Sequence, residues 1–235
     1  MMDKVLAWME PVLLVLVPAV LILCAYFQVE NTALLTLMTV VLALVPYFLR
    51  FERRHPRPRD IMPIVVLAAI AAVGRILFAP FPNVKPVTAI VIVSGACLGP
   101  QSGFLTGALA ALSSNLFFGQ GPWTPWQMYA WGLVGYLAGL LGRWGLLQKK
   151  GVVYGFGFVS ALFYGFILDS WYIVGFVSPI TWQSALAGYG AGLPFSLAHA
   201  VATVVFLLPI FRPWCKKIHR IQQKYGVGSG EQSIS

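Results

Sequence analysis

The sequence predicts an all-α integral membrane protein with about eight spans and both termini on the cytoplasmic side. Three observations predict this. Of 235 residues, 59% are hydrophobic and 10% charged, where a soluble domain carries about 25% charge. The apolar residues fall in long runs, and a bilayer core takes about 20 of them per helix. The sixteen Lys and Arg gather at the ends of those runs. That pattern ties the net charge of +9 to membrane topology and not to a nucleic-acid partner.

The first run, Pro11–Phe27, follows a single Lys4. It has no small-residue cleavage site, so it reads as a retained span and not as a signal peptide. Leu23 is too bulky to precede Cys24 in a lipoprotein box. Thr32–Leu49 is the second run, and Arg50, Arg53, Arg54, Arg57 and Arg59 form the basic loop after it. Residues 1–60 are thus a two-helix membrane extension. Ile61–Phe78, Val87–Leu98, Gln101–Phe118, Thr124–Leu147, Val152–Val177 and Leu193–Phe211 complete the series, a six-span core over residues 61–211. Val87–Leu98 is short, reaching only about 18 Å as a helix. Residues 212–235 read as a basic cytoplasmic tail with a disordered Ser/Gly-rich end. No repeat of solenoid period is present.

Charge counting tests this parsing. The basic loop after Leu49, the group Arg143, Lys149 and Lys150, and the tail with Arg212, Lys216, Lys217, Arg220 and Lys224 all belong inside. Even numbers of crossings must separate them, so the short fourth segment counts as a crossing. Fourteen of the sixteen basic residues then face the cytoplasm. The exceptions are Lys85, in an outer loop, and Arg75, within a span. Gln28–Asn31, Ala79–Pro86, Gly119–Trp123 and Ser178–Gly192 are the outer loops, the last long enough to hold a short helix of its own.

Ionisable groups inside a bilayer cost about 2.5–3.5 kcal/mol each on insertion scales. At about 1.5 Å per residue, Arg75, Asn115 and Asp169 fall in the outer half of their spans. His199 fits the first turn of the last span, after Pro194. Together they describe a polar pocket opening outward. Structural pairing of Arg75 with Asp169 is the alternative, and His199 could equally bond a neighbouring helix. Small residues at steps of four, Gly103, Gly107 and Ala111 before Asn115, and Gly157, Ala161 and Gly165 before Asp169, read as helix-packing stripes. Ala68 and Ala72 mark a third. Above the pocket lies Phe118-Gly119-Gln120-Gly121-Pro122-Trp123-Thr124-Pro125-Trp126-Gln127-Met128. Its Pro and Gly break the helix, and its Trp and Gln bring aromatic faces and amides to a membrane boundary. Trp182 suits ligand contact or an interfacial aromatic belt equally.

Several chemistries are missing. There is no G-x-x-x-x-G-K-[ST] phosphate loop and no H-E-x-x-H. Ile92 stands where a serine-protease G-x-S-x motif around Ser94 needs glycine. Cys24, Cys97 and Cys215 are scattered, with no metal-ligand spacing and no disulfide framework. They read as small buried hydrophobes. The single intramembrane His has no partner at ligand spacing, so no metal is expected.

Val73-Gly74-Arg75-Ile76-Leu77-Phe78, Pro82-Asn83-Val84-Lys85-Pro86-Val87-Thr88-Ala89, Leu98-Gly99-Pro100-Gln101-Ser102-Gly103-Phe104 and the Ser114–Met128 stretch together resemble a substrate-specific S-component of an energy-coupling factor (ECF) transporter. The likeness covers Ile61 to Gly142 most closely. It implies a six-helix S-component core preceded by two added helices. It implies a membrane subunit that binds a vitamin from outside, cobalamin being the foremost candidate, and holds no permanent cofactor. Riboflavin or a queuosine precursor are other ligands of such proteins. The partners implied are a transmembrane coupling protein and two cytoplasmic ATPases, in a prokaryotic cell membrane. The chain itself is then no enzyme. Asn83, Lys85, Asn115, Gln120, Trp123, Trp126, Gln127, Asp169, Trp182 and His199 are the expected ligand contacts. Ala68 and Ala72 match the A-x-x-x-A docking face of the family's first core helix. The rival readings are a proton-coupled secondary transporter and a small intramembrane enzyme using Asp169 and His199.

Overall fold

The computed structural model describes residues 58–226 and eight residues upstream: Val12, Leu16, Ala19, Val20, Met38, Val41, Leu44 and Val45. Those eight are helical, and Leu44 is buried in the core cluster. The rest of Pro11–Phe27, Thr32–Leu49 and the basic loop to Arg57 lie outside the described residues. So does the expected disordered end from Val227.

The described chain is all helix: α1 (Pro58–Leu77), α2 (Val87–Leu98), α3 (Pro100–Phe118), α4 (Trp123–Arg143), a 3-10 turn (Leu146–Gln148), α5 (Lys150–Phe176) and α6 (Trp182–Tyr225). No strand occurs among the described residues. Three of these helices, α1, α5 and α6, are long and apolar enough to cross a membrane. Their outward faces carry large exposed apolar side chains such as Met62, Val66, Ile70, Val159, Phe163, Val201 and Leu208. Helices of this length and surface point to a transmembrane protein.

Successive helices run in opposite directions. The last turns of α1 and α3 meet the first turns of α4 through Arg75, Asn115 and Gln127. At the other end, Gln222 of α6 donates to the Cys97 carbonyl at 3.1 Å. Gly99 alone joins α2 to α3, at φ 96°, a backbone region that glycine enters without Cβ strain. The α1 start, the α4 end, the α5 start and the α6 end therefore share one side. Arg59, Arg143, Lys149 and Arg212 to Lys224 sit on these termini.

α2 is the centre. Val87 to Gly95 are all buried. A helix buried on every side is apolar all round and has no need to match the bilayer thickness, which explains its twelve residues. Glycines bring its neighbours in. A Cβ on Gly103 would strike the Gly135 carbonyl and the Gly95 Cα, and one on Gly107 the Trp131 carbonyl. The Gly103 stripe is thus the α3–α4 interface. The Gly157 stripe serves α5–α6, with Gly157 against Leu207 and Gly165 against Ser196.

One expectation is corrected. The last helix does not start near Leu193. It is one helix of 44 residues, Trp182–Tyr225, so Trp182–Gly192 is not loop and Arg212–Tyr225 is helical. Thr181 caps it through a reciprocal bond pair with Ser184, a signal hidden by Pro194. Proline within membrane helices is tolerated where neighbours satisfy the freed carbonyls. At about 66 Å, α6 is roughly twice as long as a hydrocarbon core is thick. The two described cysteines pack partly buried against the core, as small hydrophobes do. Cys97 of α2 and Cys215 of α6 touch through their sulfur atoms as free thiols.

Gly135→Val is expected to lower the thermal midpoint of the purified protein, at an overpacking cost of about 1–3 kcal/mol. Gly155→Ala, where nothing lies within 4 Å, should leave the midpoint unchanged or slightly raised. Equal midpoints for both variants would remove the glycine contact as a determinant of the fold.

Candidate polar site at the Arg75 end

Asn115 organises the site. It sits near the end of α3, fully buried. Its Oδ1 accepts from Arg75 Nη1 at 2.7 Å. Its Nδ2 donates to Thr124 Oγ1 at 2.9 Å and to Gln127 Oε1 at 2.8 Å. One side chain therefore ties α1 and α3 to the first two turns of α4. Gln127 in turn is bonded to the Tyr164 hydroxyl of α5.

Arg75, 8% exposed, also donates from Nη1 to Ser114 Oγ at 2.6 Å. Its guanidinium lies 4.8 Å from the Phe118 ring centroid and 5.2 Å from that of Trp131. No ion pair joins it to Asp169 among the described residues. Asp169 instead packs on Gly192 of α6, where a Cβ would overlap its carboxylate. The pairing alternative is not what forms, because the Asn115 network holds Arg75 towards α3.

Lys85 approaches from the α1–α2 connection. Pro86 packs on Gly74, which has no side chain to keep it away, and this seats Lys85 beside the end of α1. Its Nζ lies 5.6 Å from the same Phe118 ring. Burial, and secondarily the Arg75 charge, holds its ammonium below the ordinary lysine range. Asn83, in the same connection, takes a positive φ of 57°, which asparagine tolerates.

Deeper, Trp131 Nε1 donates to Thr88 Oγ1 at 3.0 Å, and His199 Nε2 lies 2.7 Å from that hydroxyl. Tyr164 stacks on Trp131 at 4.5 Å and meets His199 edge-on at 5.2 Å. His199 is therefore well inside α6, not in its first turn.

The fold thus brings Lys85, Asn115, Gln127 and His199 around Arg75 and Trp131. Of the other expected contacts, Asp169 packs on Gly192. Gln120 is exposed and donates to the Leu112 carbonyl at 3.1 Å. Trp123 and Trp182 are 36% and 71% exposed. Trp126 is fully buried, with its Nε1 unpartnered among the described residues. Of the Phe118–Met128 stretch, only Gly119–Pro122 is non-helical, since Pro125 falls in the first turn of α4. Thr88, Ser114, Phe118, Trp131 and Tyr164 were not expected at the site. Two of them had a local signal, Ser114 in its adjacency to Asn115 and Phe118 at the head of the Gly- and Pro-rich stretch.

Ala68 and Ala72 are buried as the floor of a groove of about 390 Å³ between α1 and α3. Val65, Val73, Ile76, Leu109 and Ser113 also line it. No group of three or more His, Cys, Asp or Glu able to hold a metal occurs among the described residues.

Asn115→Leu should leave Arg75, Thr124 and Gln127 short of partners and destabilise the protein by about 1–3 kcal/mol per unsatisfied group. Trp126→Ala opens a cavity costing about 3–5 kcal/mol, whereas Trp182→Ala should stay within about 0.5 kcal/mol. Thermal unfolding in detergent measures all three. A Trp126→Ala protein as stable as Trp182→Ala would contradict the packing described.

No curated protein and no solved structure matches the chain. The profile of one family does match it, over residues 55–218, from three residues before α1 to within the last two turns of α6. That match covers well over half of the sequence, and the chain belongs to DUF6580, a family of unknown function.

Proposed function

We propose that this chain is the substrate-binding membrane subunit of an ECF-type importer. In this reading it has about eight spans with both termini inside. It captures a vitamin at the Arg75 end, with cobalamin the first candidate ligand. It then delivers the ligand inward when docked on a coupling protein and two ATPases. The observation that carries the reading is the presence of two chemically different surfaces on one six-helix body. A polar, aromatic cluster of Arg75, Lys85, Asn115, Gln127 and His199 lies at one end. An apolar small-residue groove on α1, floored by Ala68 and Ala72, lies along the side. A binder that borrows its energy needs both. The basic residues on the opposite helix termini support the orientation, because they favour the cytoplasmic side. The resemblance of Val73–Ala89 and Ser114–Met128 to S-components supports the class.

Reconstitution tests this. Vesicles holding the chain together with an ECF coupling protein and its ATPases should take up labelled cobalamin only with ATP inside. Vesicles holding the chain alone should bind cobalamin without accumulating it. Accumulation by the chain alone would replace this reading with a proton-driven carrier. Ala68→Leu and Ala72→Leu fill the groove, and should keep ligand affinity within about twofold while reducing coupled uptake at least tenfold. Unimpaired uptake in both would remove the groove from docking.

A further inference from the structure

We infer that the Arg75–Lys85 cluster is a binding site for the carboxylate of a small solute. The argument starts from a charge imbalance. Arg75 is buried and cationic, and such a group is costly in a membrane unless something answers its charge. Both acceptors it has, Ser114 Oγ and Asn115 Oδ1, are neutral, and both bonds come from Nη1. Its Nε is buried with no partner among the described residues. Among the described residues no hydrogen bond runs to the edge formed by Nε and Nη2, and it is an edge that takes a carboxylate through two parallel N–H bonds.

No carboxylate among the described residues fills this place. Asp60 lies fifteen residues earlier on α1, about 22 Å along the helix axis. Asp169 is turned to Gly192. A second cation, Lys85, rests against the same Phe118 ring. Two like charges sharing one aromatic ring repel each other, which adds to burial in depressing the Lys85 ammonium. A ring answers a buried cation more weakly than a charge-assisted hydrogen-bonded pair does. The aromatic faces of Phe118 and Trp131 favour a carboxylate carried on a flat ring system.

This inference rests on the importer reading only in taking the ligand to be a transported solute, and a carboxylate ligand would stand in place of cobalamin, whose arms are amides. The test uses purified full-length protein in a neutral detergent, with indole-3-acetate, its uncharged analogue indole-3-acetamide, and phosphatidylglycerol in mixed micelles. Thermal shift reports binding. The carboxylate should raise the midpoint and the amide should not. Lys85→Met should weaken the carboxylate effect at least tenfold, and Arg75→Gln should abolish it. If Arg75→Gln fails to fold, Lys85→Met decides. Equal shifts from acid and amide would overturn the inference. So would a carboxylate shift that survives Lys85→Met, or a response to the lipid phosphate alone. The importer reading is tested separately by module- and ATP-dependence of uptake, so either can fail while the other stands.

Discussion

Gly95, Gly103 and Gly135 meet where α2, α3 and α4 cross, and the spacing of everything above them is set there. Any side chain at Gly103 would overlap the α4 backbone. Without side chains the three helices close to backbone contact, and dispersion over that contact holds them, because lipid gives no hydrophobic reason to associate. Gly107 against Trp131 and Gly139 against Pro100 extend the same seam. The seam fixes α3 against α4 in register, so Asn115 arrives opposite Thr124 and Gln127 within hydrogen-bond range.

The polar site is a consequence of that register. Asn115 can use its carbonyl and amide ends on different helices only if α1 and α4 flank α3 at fixed distance. Arg75 is then held by its Nη1 while its Nε edge stays open. Lys85 depends on a separate contact, Pro86 on Gly74. His199 depends on a third, the Thr88 hydroxyl that also receives the Trp131 indole. With Trp131 donating to it, that hydroxyl either gives its own proton to Nε2 or accepts a second bond. Each functional group thus has a packing reason for its position, and none rests on loop conformation alone.

The α5–α6 pair is built differently. Its glycines meet side chains, Leu207, Ser196, Ile173 and Asp169, so the two helices lie further apart than α3 and α4. The outer part of α6, from Trp182 to Leu197, is largely exposed, and its contacts there are with α5, through Ser170–Tyr189 and Phe166–Tyr189. Only from His199 inward does α6 enter the shared core, as Ala200, Ala202, Thr203 and Leu207 become buried. The half-buried Asp169 therefore belongs to the α5–α6 hairpin and not to the Arg75 cluster.

The all-helical character was legible in the sequence because apolar run length and end charge are local properties. Val87–Leu98 could be read to the residue, since proline and glycine flank it. So could the grouping of basic termini, and the polarity of Arg75, Asn115 and His199 against apolar surroundings. The start of α6 was misread, because Pro194 was given the weight it has in water, and the end of α4 was read four residues too far, past the left-handed Gly145. Membrane helices tolerate proline, and this one runs on through Pro194. Partnership was decided only by tertiary structure. Whether Arg75 meets Asp169 or Asn115 depends on which helices touch, and that follows from glycine contacts between residues far apart in sequence. The same holds for Trp126, whose burial places it in the core where its motif implied a mouth, and for Cys97 and Cys215. Sequence determined which residues are out of place in a bilayer, and packing determined what each one answers.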